Sequence, residues 1–128
     1  MSKTPVRSDG APAPVSGAPY SQAVVANGFV FVSGQVPIDP ATGKLVEGGI
    51  AEHTHRCFDN LAAILAAAGS GLDKLVKTTV FLTNLADFQR MNEVYAKHVG
   101  EQPPARATIE VSALPSGALV EIEAVGHV

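Results

Sequence analysis

The sequence predicts a single α+β domain with the element order ββαβαββ, a mixed sheet that carries two helices on one face. Three observations indicate this fold class. A hairpin signal stands at Asn27-Gly28, a long apolar stripe of helical period covers residues 50–68, and a strand, a second helix and two more strands follow over residues 75–125. The 128 residues fit one such domain.

The first 18 residues are rich in Pro and Gly and predict a flexible lead, which leaves residues 19–128 as the domain. Gln22–Ala26 and Phe29–Ser33 flank Asn27-Gly28, two residues that tolerate positive φ. This pattern predicts two antiparallel strands. Turn residues over Pro37–Gly43 and a short extended piece over residues 44–47 lead to the first helix.

The first helix is predicted from one apolar face that ends at Gly69. Its positions are Ile50, Thr54, Cys57, Phe58, Leu61, Ile64, Leu65 and Ala68. Cys57 lies on this face, so we expect a buried thiol rather than a nucleophile. His53 stands one turn earlier, but two metal ligands without a third favour a surface histidine beside a buried thiol. The sequence therefore predicts no metal site.

The second half of the chain begins with a β-branched strand over residues 75–82. Asn84 and Asp87 resemble a helix N-terminus, and Gly100 ends that helix. The buried face of the second helix is predicted to contain Phe88, Met91, Tyr95 and Val99. Pro103–Val111 and Leu119–Val125 are then predicted to form a hairpin joined by a turn at residues 114–117.

This predicted hairpin concentrates the polar chemistry of the chain. Side chains alternate along a strand, so Arg106, Thr108 and Glu110 share one face, as do Glu121 and Glu123 on the other strand. The hairpin would bring the cation and the carboxylates to one side of the sheet. A fixed guanidinium near a carboxylate suits a small anionic substrate. The alternative is an ion pair between Arg106 and one of the two glutamates, worth little if exposed.

Composition restricts the partners. Residues 29–32 and 80–82 are apolar on both faces of their strands, yet two helices can cover only one face of the sheet. We therefore expect a homo-oligomer whose sheets pack together.

The nine Lys and Arg residues are scattered along the chain and the net charge is −3, which argues against nucleic acid as a partner. No apolar run is long enough to cross a bilayer. One cysteine fits a reducing compartment, and we expect a cytoplasmic protein, with an organelle left open.

Six motifs in order resemble the reactive intermediate deaminase family, RidA/YjgF, from about residue 11 to residue 125. They are Pro19–Ala23, Val32–Gln35, Cys57–Leu61, Met91–Tyr95, Pro104–Arg106 and Val120–Glu123. The resemblance implies a chorismate-mutase-like fold. It also implies a homotrimer whose sheets line a central barrel, with the helices outside and the active sites in clefts between subunits.

The activity that the resemblance implies is hydrolysis of enamines and imines to 2-keto acids and ammonia, with no metal or organic cofactor. The substrates are 2-aminoacrylate with its tautomer 2-iminopropanoate, and 2-iminobutanoate, which pyridoxal-phosphate-dependent dehydratases release. By this resemblance Arg106 holds the substrate carboxylate and Glu121 positions or activates water. The implied substrate-binding residues are Tyr20, Ser33, Gly34, Asn92 and Thr108.

Two other classes of function stay open at this point. Some members of the family are described as ribonucleases or inhibitors of translation, but an isoelectric point near 5.7 and the lack of a basic patch argue against that role. The other alternative is a ligand-sensing or chaperone-like binding module, which would have the same cleft but would catalyse no reaction.

Overall fold

One six-stranded mixed sheet with two helices on one face forms the fold in a computed structural model, which describes residues 2–15 and 17–128. The strands are β1 (Thr4–Val6), β2 (Ala23–Ala26), β3 (Phe29–Gln35), β4 (Ile38–Asp39), β5 (Lys44–Leu45), β6 (Leu75–Leu82), β7 (Ala105–Glu110) and β8 (Val120–His127). The helices are α1 (Ile50–Ala67) and α2 (Phe88–Val99). The order in the main sheet is β1-β2-β3-β8-β6-β7, and β4 pairs with β5 in a separate ribbon. The predicted α+β class is confirmed.

The core lies between the sheet and the helices. Fully buried side chains come from three central strands and from both helices, among them Val30, Val80, Ile122, Phe58, Leu61, Ile64 and Met91. The predicted apolar face of α1 is confirmed for its members up to Leu65, which are buried. The last predicted member, Ala68, is only partly buried and is the residue after the helix. The predicted face of α2 is confirmed at Met91, Tyr95 and Val99 but not at Phe88, which is 36% exposed.

The predicted hairpin of the last two strands is wrong. β7 pairs in parallel with β6, and β8 pairs antiparallel with β3 and β6, so β6 lies between β7 and β8. The physical reason is the helix that connects β6 to β7. A strand that returns through a helix runs parallel to the first, and the crossover places it on the open side of β6. β7 is consequently an edge strand of the sheet.

The N-terminal lead is more ordered than the sequence predicts. Thr4–Val6 pairs antiparallel with β2, so the expectation of a flexible lead is wrong over this strand. Gln22 explains part of the order, because its buried amide donates hydrogen bonds to the carbonyl oxygens of Ser8, Ala11 and Pro12. The prediction also includes Met1 and Ser16, which lie outside the described residues.

The sheet face away from the helices carries apolar side chains that this chain leaves open to solvent. Phe29, Phe31 and Ile109 are 41%, 48% and 44% exposed, and each alternates with residues that point toward the helices. We call this surface the open face. Within the described part of the chain, neither helix has the length and apolar character that a bilayer-crossing segment would need.

Candidate functional site

Arg106 lies on the helix-covered side of the edge strand β7. Its partner across the β6–β7 ladder is Thr78, a fully buried residue under α2. The guanidinium carbon of Arg106 stands 4.7 Å from the ring centroid of Tyr95 and 5.5 Å from that of Phe88. Both distances are within the range in which a cation is attracted to the face of an aromatic ring. Two aromatic residues of α2 therefore hold the cation at the edge of the sheet.

The charge of Arg106 has no carboxylate partner among residues 2–15 and 17–128. The arginine ion pairs found there, at 4.0 Å or less, join Arg56 to Asp59 and Arg90 to Glu93. An ion pair of Arg106 with a glutamate of β8, the alternative raised by the sequence, does not form. A planar guanidinium with unpaired charge can receive a carboxylate through two parallel hydrogen bonds.

Two further polar residues share the surroundings of Arg106. Thr108 follows it by two positions on β7, so its side chain points to the same side of the sheet. Asn92 lies on α2 one turn after Phe88 and one turn before Tyr95. The Oδ1 atom of Asn92 is buried and has no hydrogen-bond partner in the described part of the chain. A buried acceptor without a partner is uncommon and suits a site that a ligand completes.

Glu121 and Gly34 form a second cluster, on the open side of the sheet. The β3–β8 register shifts between Val32 and Gln35, and this irregularity brings Gly34 against the Glu121 side chain. A Cβ atom at Gly34 would stand 2.8 Å from Glu121 Cδ, closer than real Cβ contacts allow. The absence of a side chain at Gly34 therefore gives the Glu121 carboxyl its place.

The environment of Glu121 alters its acidity. Burial raises the pKa of this carboxyl above its ordinary value, and the negative charge of Glu123 raises the pKa further. Glu121 is half-buried, whereas Glu123 is exposed. A carboxyl with a raised pKa is better able to exchange a proton near neutral pH, which is what a general acid or base requires.

Ser33 precedes Gly34 on β3 and is linked to the segment that carries Tyr20. Ser33 Oγ donates a hydrogen bond of 2.7 Å to the carbonyl oxygen of Ser21 and so ties β3 to the segment that carries Tyr20. Tyr20 is 48% exposed, and its hydroxyl accepts a hydrogen bond of 3.4 Å from the Val15 N–H. The Tyr20 side chain lines a cavity of about 520 Å³ against the N-terminal lead.

The two clusters lie on opposite sides of the sheet. Arg106 pairs with Thr78 on β6, and Glu121 pairs with Phe81 on the same strand. Thr78 and Phe81 are three residues apart, so their side chains point to opposite faces of the sheet. Because side chains alternate, the prediction that the cation and the carboxylates of β8 gather on one side is wrong. Arg106 and Thr108 point to the helix-covered side, where Asn92 lies on α2 between the two rings that contact Arg106. Glu121 and Gly34 are in contact on the other side, so the two sets do not converge within one chain.

His53 and Cys57 are structural residues of α1. His53 is only 3% exposed, so the prediction of a surface histidine is wrong. Its Nδ1 accepts a hydrogen bond from the Leu119 N–H, and its Nε2 donates one to the Val46 carbonyl oxygen. The prediction of a buried thiol is confirmed, and burial raises the pKa of Cys57. Over the described ranges, no cluster of three or more His, Cys, Asp or Glu side chains could hold a metal.

The aromatic support of Arg106 was not predicted from the sequence. Phe88 and Tyr95 were assigned to the buried face of α2, and their contact with the cation was missed. The available signal was their spacing of seven residues, which places two rings on one face with Asn92 between them.

Comparison with known proteins places the chain in a family. The model of the family described as endoribonuclease L-PSP matches residues 10–128. The chain belongs to this family. A RutC family protein of Pyrococcus abyssi is 48% identical over 127 residues, which are 99% of this chain and 98% of the relative. The human 2-iminobutanoate/2-iminopropanoate deaminase is 45% identical over 115 residues, 90% of this chain and 84% of the relative.

Solved structures agree with the fold of this L-PSP family member. The crystal structure of a Rid family protein of unknown function from Yersinia pestis superposes with a TM-score of 0.94. It is 46% identical in sequence and covers 99% of this chain and 100% of its own. The resemblance to the reactive intermediate deaminases is therefore confirmed.

Proposed function

We propose that this protein hydrolyses small 2-imino acids and their enamine tautomers, such as 2-iminopropanoate and 2-iminobutanoate, to 2-keto acids and ammonia. The observation that carries the proposal is the Arg106 guanidinium, held over Tyr95 and Phe88 and unpaired with any carboxylate of the described residues. The name of the human relative, an imino-acid deaminase, supports the same substrate class.

Arg106 binds the substrate carboxylate in this proposal. A bidentate pair fixes both the position and the plane of the carboxylate, which leaves the imine carbon at a defined distance from the cation. Thr108 and Asn92 lie on the same side as Arg106 and supply hydroxyl and amide groups to the bound substrate. The free Oδ1 acceptor of Asn92 suits a donor such as a protonated imine nitrogen.

Glu121 acts as the general base and then as the general acid in this proposal. The attacking water gives a proton to the Glu121 carboxylate as its oxygen bonds to the imine carbon and the C=N electrons move to nitrogen. This step converts the protonated imine into a neutral carbinolamine. The Glu121 carboxyl then gives its proton to the amine nitrogen, and the C–N bond breaks with its electron pair on nitrogen. Ammonia leaves as the hydroxyl proton passes to the Glu121 carboxylate and the carbonyl forms, and Glu121 then releases this proton to water. A carboxyl with a raised pKa is suited to both transfers. Hydrolysis consumes only water and substrate, so the proposal includes no cofactor.

The site lies between subunits of a homotrimer in this proposal. Arg106 and Glu121 are on opposite faces of one sheet, so they can act on one substrate when a neighbouring chain brings its Glu121 side to the Arg106 edge. The exposed Phe29, Phe31 and Ile109 supply the apolar surface on which the chains pack. Tyr20, Ser33 and Gly34 then line the cleft from the Glu121 side.

The upstream reaction is a pyridoxal-phosphate-dependent dehydration of serine or threonine, which releases an enamine. Such enamines form in the compartment that contains the dehydratase, and we propose the cytoplasm. The protein would shorten the lifetime of these reactive compounds there.

The experiment couples the purified protein to a threonine dehydratase and follows the release of 2-oxobutanoate. The wild type should accelerate release, and Arg106→Ala and Glu121→Gln should abolish the acceleration. Arg106→Lys keeps the charge but loses the two-pronged donor, so it should retain a small part of the activity. The matched control is Arg90→Ala, which removes an arginine from an exposed ion pair.

The outcomes separate the candidate functions. Acceleration by the wild type and by Arg90→Ala, but not by Arg106→Ala, would support the deaminase and the carboxylate contact together. No acceleration by the folded wild-type protein would overturn this proposal. Carboxylate binding without turnover would then favour a ligand-sensing module.

A further inference from the structure

Arg106 and Tyr95 are joined by a closed set of contacts through Thr78. Thr78 is the ladder partner of Arg106 on β6. Its Oγ1 lies 2.6 Å from the hydroxyl oxygen of Tyr95, in a buried hydrogen bond. The Tyr95 ring in turn lies 4.7 Å from the guanidinium carbon of Arg106. The strand that fixes the backbone of Arg106 thus also fixes the ring against which its charge rests.

Tyr95 is itself firmly placed. It is 5% exposed, and Phe58 of α1 packs edge-on against it, with centroids 5.2 Å apart and planes at 79°. A ring held by a hydrogen bond at one end and by an aromatic contact on its side has little freedom to move. Phe88, the other ring near Arg106, is 36% exposed and makes no ring–ring contact with another aromatic side chain of residues 2–15 and 17–128.

We propose that Tyr95, anchored by Thr78, is the positioning residue for the carboxylate-binding guanidinium. The inference rests on the proposed function, in which Arg106 binds the substrate carboxylate. An arginine side chain loses much rotational freedom when it binds a ligand, and this loss weakens binding. A ring that attracts the cation before the ligand arrives removes part of that loss. Tyr95 therefore acts on substrate affinity through Arg106 and makes no contact with reacting atoms.

The test compares Tyr95→Leu, Tyr95→Phe and Thr78→Val with the wild type. Tyr95→Leu removes the ring and its cation–π contact, so it should raise KM about tenfold, which corresponds to about 1.4 kcal/mol, while kcat stays within about twofold. Tyr95→Phe and Thr78→Val remove the same hydrogen bond, so each should raise KM about threefold. The double variant, Tyr95→Phe with Thr78→Val, should have a KM no higher than that of either single variant, because both changes remove the same hydrogen bond.

Pyruvate, a 2-keto acid product, serves as a probe that is independent of turnover. Its dissociation constant, measured by calorimetry, should rise in the same order as KM. Met91→Leu is the matched control, because Met91 is fully buried on the same helix and its replacement preserves core volume. Thermal unfolding identifies variants that fail to fold. If Tyr95→Leu fails, Tyr95→Phe and Thr78→Val decide the question.

The results separate this inference from the deaminase proposal. Wild-type KM and wild-type pyruvate affinity in folded Tyr95 variants would overturn the positioning role, whatever the turnover. A wild type that turns over no imine, yet binds pyruvate more tightly than Tyr95→Leu and Arg106→Ala do, would overturn the deaminase and support the positioning role. A wild type that neither turns over imine nor binds pyruvate would overturn both.

Discussion

Gly34 lies directly against Glu121, since a Cβ atom built on the glycine would stand 2.8 Å from the Cδ and 3.2 Å from the Cγ of the glutamate. The space that the glycine leaves is therefore filled by the carboxyl group of its neighbour. The position of this carboxyl depends on the identity of residue 34, which can be tested without altering the glutamate.

Gly34→Ala should displace the Glu121 carboxyl and lower kcat for imine hydrolysis by about 100-fold, the low end of what a general acid or base contributes. Overpacking should also lower the free energy of unfolding by about 1 to 3 kcal/mol. Gly49→Ala is the control, because its nearest neighbour, Glu52 Oε1, lies at 3.9 Å. Steady-state kinetics and urea unfolding check both effects, and wild-type kcat in Gly34→Ala would contradict the dependence.

Glu121→Gln should make the protein more stable at pH 7. Burial and the charge of Glu123 raise the pKa of Glu121, so the folded state binds this proton more tightly than the unfolded chain. Stability therefore falls as the pH rises from the unfolded value through the folded value. The glutamine variant avoids this loss.

Urea unfolding should show the stabilisation at pH 7 and none at about pH 4, near the ordinary carboxyl pKa. Glu47→Gln, at an exposed position, should show little change at either pH. A variant less stable than the wild type at pH 7 would show that the Glu121 charge is favourable in the fold.

Phe31→Glu should dissociate the proposed homotrimer. Phe31 is 48% exposed on the open face, and a charge there would be buried against a neighbouring chain. Light scattering should give the mass of a trimer for the wild type and of a monomer for the variant, and deaminase activity should be lost with the trimer. Leu85→Glu, at a residue 45% exposed before α2, should leave the mass unchanged. A trimeric Phe31→Glu would place the interface elsewhere.

Phe58→Ala should cost about 3 to 5 kcal/mol of unfolding free energy, because it removes a fully buried aromatic ring. That ring contacts Tyr95 and stacks on His98, with centroids 4.5 Å apart. Phe88→Ala should cost only about 1 kcal/mol, since Phe88 is 36% exposed. Equal costs in urea unfolding would mean that exposure does not distinguish the two rings.

The helices and most strands could be predicted because their signals are local. The stripe over residues 50–68 corresponds to α1 at Ile50–Ala67, and β6 occupies the predicted residues 75–82. The pairing of β7 could not be read from alternation, because alternation gives the residues that share a face but not the neighbouring strand. The helix between β6 and β7 did carry that information, since it favours a parallel crossover over a hairpin.

The candidate site was less accessible to sequence reasoning. Its residues came from a family resemblance, and their distribution over two sides of the sheet depends on the position of β6 between β7 and β8. The contact of Gly34 with Glu121 depends on the register shift in β3. A glycine inside a strand is a signal for such a shift, but it does not identify the residue on the neighbouring strand that fills the space. The burial of His53 likewise involves a hydrogen bond to Leu119, which lies 66 residues away in sequence.

In the proposed homotrimer, Arg106 and Glu121 lie on two faces of the sheet, so each site takes its arginine from one chain and its glutamate from a neighbouring chain. Arg106→Ala subunits retain the glutamate, and Glu121→Gln subunits retain the arginine. Every mixed trimer contains one junction at which an intact arginine meets an intact glutamate. Unfolding and refolding the two inactive variants together in equal amounts should therefore restore about a quarter of the wild-type activity, through random assembly of a cyclic trimer. Each variant refolded alone should restore none.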